Sequence, residues 1–168
     1  MKIHFIGIGG IGISGLAQYM HFKGHTVSGS DMSDTVITKK LRTLGIKVTV
    51  PHSADAIDSQ DLVVHSAIIS PENPEIISAK AKGIEVLARR EALLRILDTS
   101  KVYSVAGAHG KSTTTAILTA IMSGSAIIGA ESKAFGSNVR YDETNDIMLF
   151  EADESDGSFI NSNPHCAI

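Results

Sequence analysis

Residues 102–115 read Val-Tyr-Ser-Val-Ala-Gly-Ala-His-Gly-Lys-Ser-Thr-Thr-Thr, so an apolar run leads into a glycine-rich loop and then into a run of hydroxyl residues. This order predicts a strand, a loop and the start of a helix. Backbone N–H groups at a helix N-terminus bind phosphate together with the helix dipole, and glycines let the phosphate approach the backbone closely. The stretch therefore predicts an α/β unit whose loop binds a nucleotide phosphate.

The candidate phosphate-binding residues of this loop are Gly107, Ala108, His109, Gly110, Lys111, Ser112 and Thr113. The Lys111 ammonium can reach the β and γ phosphates, and the Ser112 hydroxyl can bind a Mg²⁺ ion that accompanies them. The loop is a short variant, because Val105 stands five residues before Gly110, where the common motif has glycine. A strand-to-helix turn without a ligand is the alternative. His109 could equally touch a nucleotide or only shape the turn.

An acidic segment follows the apolar run at residues 147–150. Residues 151–156 read Glu-Ala-Asp-Glu-Ser-Asp, which places four carboxylates among six residues. Ligands gather at the carboxyl ends of strands in α/β sheets. Mg²⁺ takes one or two carboxylates together with phosphate oxygens, so an acidic tip facing the lysine-serine loop would complete a metal–nucleotide site. The alternative is a solvated acidic loop.

A second glycine-rich loop lies near the start of the chain. Residues 7–12 read Gly-Ile-Gly-Gly-Ile-Gly and match Gly-x-Gly-x-x-Gly between a predicted strand and a predicted helix. Asp31 lies nineteen residues after Gly12, at the end of the second predicted strand, where an acidic side chain binds ribose hydroxyls in dinucleotide enzymes. The pattern fits NAD, the diphosphate of a UDP-sugar, or a tight turn with a purely structural role.

Alternating strands and helices predict a parallel sheet flanked by helices in the first half of the chain. Strands are expected at 3–8, 26–29, 47–50, 62–66 and 85–87, and helices at 11–23, 35–44, 74–82 and 89–97. Further strands are expected at 102–106, 126–128 and 147–150, with a helix at 111–122. The fold class is therefore α/β, with a Rossmann-like domain at 1–98 and the beginning of a P-loop-type α/β domain at 99–168. The polar break at 98–100 marks the boundary, and the apolar run at 164–168 predicts a buried strand with Cys166 in the core.

Composition limits the class of protein. The 168 residues are 43% hydrophobic, and 15 basic against 18 acidic residues give a net charge of −3. There is no basic stripe for nucleic acid and no apolar window near the ~20 residues that span a bilayer, so we expect neither nucleic-acid nor membrane partners. A single cysteine excludes an internal disulfide, and the N-terminus lacks the apolar stretch of a signal peptide. We expect a cytoplasmic protein and predict no protein partner.

Taken together, these motifs resemble the Mur ligase family of peptidoglycan synthesis, and in particular its members that add L-alanine to UDP-N-acetylmuramate. The matching stretches are residues 7–17, 28–31, 65–68, 73–75, 89–91, 107–112, 135–138 and 151–159. The resemblance implies an ATP-dependent ligase that acts in cell-wall synthesis, and hence in cell shape and division. In the family reaction ATP activates the muramate carboxylate as an acyl phosphate, and the alanine amine then attacks it.

The resemblance also implies roles for individual residues. The implied UDP-sugar site consists of Gly7, Gly9, Gly10, Ile11, Gly12, Asp31, His65, Ser66 and Ala67. Residues 107–113 would bind ATP. Lys111 and Glu151 would be the catalytic residues, Ser112 and Glu151 would bind Mg²⁺, and residues 153–156 would be further partners of the metal.

The sequence differs from the family pattern at several positions. Ala108 and Ser112 stand where the family usually has threonine, and the stretch between residues 122 and 127 is shorter than usual. Family segments expected further along the chain are absent, so we expect the 168 residues alone not to complete the ligation.

Three alternatives stay open: a murein-peptide ligase of the same family, an NAD-binding oxidoreductase, and a non-catalytic nucleotide sensor.

Overall fold

The computed structural model describes residues 1–97, 101–152 and 164–168. Its strands are β1 (Lys2–Ile6), β2 (Thr26–Ser30), β3 (Lys47–Thr49), β4 (Leu62–His65), β5 (Glu85–Ala88), β6 (Lys101–Val105), β7 (Ser125–Ser132), β8 (Ser137–Arg140), β9 (Ile147–Glu151) and β10 (Cys166–Ala167). Its α-helices are α1 (Ile11–Phe22), α2 (Val36–Thr43), α3 (Pro74–Ala81), α4 (Arg89–Leu97) and α5 (Lys111–Ile121). The predicted break at 98–100 and the acidic residues 153–156 lie outside the described residues.

The chain forms two compact units, Met1–Arg89 and Arg90–Ile168. The first contains a five-stranded sheet in the order β3-β2-β1-β4-β5, and every neighbouring pair is parallel. This order is Rossmann-like, and it reverses between β1 and β4, where ligands bind in sheets of this kind. The predicted α/β class is confirmed. The carboxyl ends of β1, β2, β4 and β5 meet at one edge of the sheet and surround the first glycine-rich loop.

The helices of the first unit follow the predicted pattern to within one residue at each end. Thr35 begins α2 with a capping box to Thr38, and Asn73 caps α3 just before Pro74. Gly24, Gly45 and Gly83 follow α1, α2 and α3 with φ of 84°, 88° and 68°, which is the left-handed cap expected of glycine there. Within the described ranges, no helix is both long enough and apolar enough to cross a bilayer.

The second unit contains a sheet in the order β10-β6-β9-β7-β8, parallel except for the β7–β8 pair. β8 was not predicted, because Ser-Asn-Val-Arg has no strand-like alternation and only its pairing with β7 defines it. The expectation of a buried terminal strand is wrong: β10 pairs with β6 at the sheet edge, and Cys166 is exposed. Residues 164–168 are apolar in part, yet no element among the described residues covers them.

A buried polar network joins the strands of the first unit to α3. Glu75, in the first turn of α3, is 0% exposed. Its carboxylate accepts hydrogen bonds from the Ser30 hydroxyl at 2.5 Å and the Ser53 backbone N–H at 2.9 Å, and lies 3.2 Å from Nε2 of His4. Burial alone would raise the pKa of Glu75, but these hydrogen bonds outweigh it and hold the pKa below its ordinary value of 4.5.

The network also fixes β2 against the first glycine-rich loop. The carbonyl of Ser30 accepts hydrogen bonds from the backbone N–H groups of Gly7 and Ile8, both at 2.9 Å. Its hydroxyl bonds both Glu75 and Nδ1 of His52. The position of the loop therefore depends on a carboxylate that lies on a different element of the fold.

Replacing Glu75 with Gln should lower the free energy of unfolding by about 1–3 kcal/mol at pH 7, because buried partners lose a charged acceptor. A carboxylate whose pKa is lowered by folding stabilises the folded state at pH values above its unfolded pKa. This stabilisation is lost as the pH falls through its folded pKa. The difference between wild type and Glu75→Gln should therefore shrink below about pH 4.5. Urea unfolding followed by far-ultraviolet circular dichroism measures both effects.

The matched control is Glu143→Gln, which changes an exposed carboxylate and should cost less than about 0.5 kcal/mol at any pH. A constant difference between wild type and Glu75→Gln from pH 7 to pH 3.5 would contradict the proposed linkage.

Candidate nucleotide-binding sites

The first glycine-rich loop connects β1 to α1 and packs against side chains that follow neighbouring strands. A Cβ atom added to Gly7 would lie 3.2 Å from Cβ of Ser66, which directly follows β4. A Cβ added to Gly9 would lie 2.8 Å from Oδ2 of Asp31, which directly follows β2. At Gly9 the added atom would be too close to the Asp31 carboxylate, which would have to move. At Gly7 the contact would be tight, and the φ of 80° is a backbone conformation that favours glycine.

Asp31 is bound directly to this loop. Its Oδ2 accepts a hydrogen bond from the Gly9 backbone N–H at 2.8 Å, and its Oδ1 lies 3.4 Å from the Ser33 backbone nitrogen. The sequence predicts a role for Asp31 in binding the ribose of a nucleotide. The structure brings its carboxylate to the loop, where it contacts the same backbone that would receive a diphosphate.

The predicted turn after β4 lies on another side of the loop. His65 and Ser66 are partly buried, and Ala67 is exposed. The backbone N–H of Ser66 donates to the carbonyl of Ile6, the last residue of β1, at 3.1 Å. Nδ1 of His65 lies 3.0 Å from the Ser66 carbonyl. The structure thus brings this turn and the glycines together, although they are more than fifty residues apart in the sequence.

Helix α1 begins at this loop without a capping side chain. Gly10 is its N-cap, in an extended conformation, and donates its own N–H to the Gly7 carbonyl at 3.1 Å. Ile11 follows and is 39% exposed. The first turn contains no acidic residue. Such a helix start favours an anion, because its N–H groups and the positive end of the dipole point toward the loop.

Arg89 lies beside the first turn of α1, although the sequence analysis gave this residue no role. It directly follows β5 and is only 9% exposed. Its guanidinium carbon lies 3.1 Å from the position that a Cβ on Gly12 would occupy. No sequence motif signals this contact, because 77 residues separate the two and only the sheet order brings them together.

The second glycine-rich loop connects β6 to α5. Gly110 is the N-cap of α5 and has a φ of 81°, a left-handed conformation that favours glycine. Nζ of Lys111 donates to the Gly107 carbonyl at 2.7 Å, so the lysine folds back over the loop. Ala108, His109 and Thr113 are exposed. The predicted strand, loop and helix are all observed, and the loop presents an uncapped helix start next to a lysine ammonium.

Ser112 and Glu151 meet at this loop although they lie 39 residues apart in the sequence. The Ser112 hydroxyl donates to Oε1 of Glu151 at 2.8 Å. Glu151 ends β9, which pairs with β6 so that Glu151 stands opposite Val105. The backbone N–H of Gly129 donates to Oε2 at 2.7 Å, and a Cβ at that position would lie 2.8 Å from Oε1. Gly129 therefore orients the carboxylate, a role that no motif in the sequence indicated.

The oxygen pair of Ser112 and Glu151 fits a Mg²⁺ ion that arrives with phosphates. Among residues 1–97, 101–152 and 164–168, no group of three or more His, Cys, Asp or Glu side chains could hold a metal. Mg²⁺ needs only one or two protein oxygens when phosphate oxygens and waters complete its shell. A hydroxyl and a carboxylate 2.8 Å apart meet that requirement.

A separate cleft lies at the opposite end of α5 from the loop. It is lined by residues 119–124 and 140–143. The guanidinium of Arg140 lies in it and donates to the carbonyls of Gly124 and Met122, both at 2.8 Å, and to that of Thr119. These bonds satisfy carbonyl groups at and just beyond the end of a helix. We assign this arginine a structural role.

The sequence is similar to those of known ligases. A sequence model described as "Mur ligase family, catalytic domain" matches residues 2–101. A UDP-N-acetylmuramate–L-alanine ligase of Campylobacter curvus is 52% identical over 99% of this chain and 38% of its own length. One of Helicobacter pylori is 55% identical over 99% of this chain and 37% of its own length. The chain thus spans about two fifths of the length of the curated relatives it matches.

Solved structures show the same fold. A UDP-N-acetylmuramate-alanine ligase from Thermotoga maritima has a TM-score of 0.88 at 34% identity, over 99% of this chain and 40% of that one. A UDP-N-acetylmuramate:L-alanyl-gamma-D-glutamyl-meso-diaminopimelate ligase from Neisseria meningitides has a TM-score of 0.90 at 27% identity, over 99% of this chain and 59% of that one.

Replacing Gly9 with Ala should lower the free energy of unfolding by about 1–3 kcal/mol, because the new Cβ forces the Asp31 carboxylate away from the Gly9 N–H. Gly10→Ala is the matched control, since its Cβ would meet nothing closer than 3.4 Å, and it should cost less than about 1 kcal/mol. Urea unfolding compares the two. Equal losses would mean that the Asp31 contact does not decide the residue at position 9.

Proposed function

This chain belongs to the Mur ligase family, and on that premise we propose that it binds UDP-N-acetylmuramate and ATP for the ATP-dependent addition of L-alanine to the muramate carboxylate. One contact supports an ATP-dependent ligase above all: the Ser112 hydroxyl meets the Glu151 carboxylate beside a lysine-bearing phosphate loop. An NAD-binding oxidoreductase would have no use for that contact. The reaction belongs to peptidoglycan synthesis and would take place in the cytoplasm, where ATP is available.

The two substrates would bind to different parts of the chain. We assign UDP-N-acetylmuramate to a domain at residues 1–98 and ATP to the part of the chain at 99–168. In the first, backbone N–H groups at the start of α1 would receive the diphosphate between Gly7 and Gly12. Asp31 and the turn at residues 65–67 border the same loop and would contact the uridine part.

In the second part, residues 107–113 would surround the ATP phosphates. Lys111, which now donates to the Gly107 carbonyl, would exchange that acceptor for a phosphate oxygen and offset its negative charge. Ser112 and Glu151 would hold Mg²⁺, with Gly129 fixing the carboxylate through its N–H group. Mg²⁺ bound there would neutralise charge on the phosphoryl group during its transfer.

The proposed reaction has two steps, a phosphoryl transfer and then the displacement of phosphate by an amine. The γ-phosphoryl group of ATP passes to the muramate carboxylate and ADP leaves, and the alanine amine then attacks the activated carbonyl carbon and displaces phosphate. Positioning and charge neutralisation supply most of the rate enhancement in such transfers. Residues at the two loops contribute N–H groups, one ammonium and one metal-binding pair.

A murein-peptide ligase is the second candidate, because a solved structure named for that activity has the same fold over the whole chain. Its substrate would be a tripeptide in place of alanine. The higher identity to the alanine ligases supports alanine. Both candidates share the sugar nucleotide and ATP, so the residues assigned above serve either one.

Calorimetric titration tests the sugar-nucleotide site. We expect saturable binding of UDP-N-acetylmuramate and of UDP, and no binding of NADH, because the loop would select a uridine ligand. NADH binding without a uridine response would instead favour an oxidoreductase. No binding of any of the three would contradict the proposal that this chain holds the sugar nucleotide.

Titration with Mg²⁺-ATP tests the second loop. Lys111→Ala and Ser112→Ala should each weaken binding by about tenfold or more, because each removes a polar or charged contact to the phosphates or their metal. Ser112→Ala should also reduce the difference between titrations with Mg²⁺ and with a chelator, whereas Lys111→Ala should leave that difference unchanged, because Ser112 would share the Mg²⁺ ion with Glu151. Ser123→Ala removes an exposed hydroxyl beyond the end of α5 and serves as the control. Unchanged ATP binding by both loop variants would contradict the proposal that ATP binds at this loop.

A further inference from the structure

A bulge in β7 lies beside the carboxylate that ends β9. The pairing of β7 with both of its neighbours, β8 and β9, is regular up to Ile127, and its pairing with β8 resumes only at Ser132. Between these two positions β7 has the residues 128–131, whereas β8 has only Asn138. Such bulges interrupt the ladder and re-aim a strand, and they are common next to active sites.

Gly129, in this bulge, contacts both oxygens of Glu151. Its N–H donates to Oε2 at 2.7 Å, and a Cβ at this position would lie 2.8 Å from Oε1 and 3.0 Å from the carboxyl carbon. The φ of Gly129 lies outside the left-handed region, so the backbone conformation alone would accept alanine. Glycine is needed here because a methyl group would take the place of the carboxylate.

The Glu151 carboxylate is therefore held at both of its oxygens. Oε1 accepts the Ser112 hydroxyl at 2.8 Å, and Oε2 accepts the Gly129 N–H at 2.7 Å. These donors belong to two different elements, α5 and β7, and together they fix the plane of the carboxylate. A cation that takes both oxygens competes with the Gly129 N–H for Oε2, whereas a cation that takes one oxygen leaves that hydrogen bond intact.

This constraint distinguishes between divalent cations, because they differ in the ligands they take. Ca²⁺ accepts carboxylates through one or both oxygens in a large, flexible shell, whereas Mg²⁺ demands a near-octahedral shell, keeps several waters and takes one or two carboxylates. We propose that Gly129 is a positioning residue that leaves one oxygen of Glu151 to the metal and thereby selects Mg²⁺ over Ca²⁺. This inference rests on the proposed ATP site at residues 107–113.

Calorimetric titration with ATP in Mg²⁺, in Ca²⁺ and in a chelator tests the selectivity. Wild type should bind ATP about tenfold or more tightly with Mg²⁺ than with Ca²⁺. In Gly129→Ala the methyl group displaces the carboxylate from its N–H donor, so this ratio should fall by about fivefold or more. Binding in the chelator should stay unchanged. Ala130→Ser adds one atom to the next exposed residue of β7 and, as the matched control, should keep the wild-type ratio.

Amide NMR on the protein without nucleotide tests the contact itself. A charge-assisted hydrogen bond moves an amide proton downfield, so Glu151→Gln should move the Gly129 resonance upfield and leave that of Ala130 in place. Circular dichroism confirms that each variant is folded. A Gly129 amide that does not respond to Glu151→Gln would overturn the inference.

Two calorimetric outcomes would overturn it as well. One is a wild-type ratio of Mg²⁺ to Ca²⁺ affinity in Gly129→Ala, and the other is equal weakening in all three titrations, which would indicate general damage to the loop. Either outcome leaves the proposed function in place. No ATP binding by the wild type with any cation would count against that function itself, and the amide measurement would still decide whether Gly129 fixes the carboxylate.

Discussion

Three glycines at the start of α1 and in the turn before it lie against side chains that follow neighbouring strands, since a Cβ added to Gly9, Gly7 or Gly12 would come within 2.8, 3.2 and 3.1 Å of the residues after β2, β4 and β5. Asp31, Ser66 and Arg89 occupy those positions. The parallel sheet imposes this crowding, since its carboxyl ends meet at one edge. Glycine at positions 7, 9 and 12 follows from that one geometric constraint.

In the second unit, too, a glycine-rich loop and a charged side chain follow neighbouring parallel strands, although the strand order differs. Its phosphate loop follows β6, and the neighbouring strand β9 ends in Glu151. That carboxylate is held by the Ser112 hydroxyl and the Gly129 N–H. In the first unit the Asp31 carboxylate is bound to the loop through the Gly9 N–H, and a buried guanidinium lies beside the first turn of α1. In the second unit the carboxylate lies beside the start of α5, which suits a metal ion bound together with an anion.

Most of the secondary structure could be predicted from the sequence, because its signals are local. Helix α4 begins and ends as its apolar spacing indicates, and Gly24 caps α1 as its position after the apolar run suggests. The failures depend on distant partners. β8 has no pattern of its own and forms because β7 pairs with it, and β10 is an edge strand in which Cys166 is exposed. Neither burial nor pairing of such short segments is encoded within them.

The sequence by itself determined the fold class, the two loops and the chemistry they favour, since glycines, a lysine and hydroxyls next to strand and helix signals are contiguous in the chain. Only the tertiary structure decided which distant groups complete them. It brought Arg89 to Gly12, Glu151 to Ser112 and the buried Glu75 to β2. These contacts join residues 39 to 77 positions apart, and the order of strands in a sheet, which sets them, follows from packing of the whole unit.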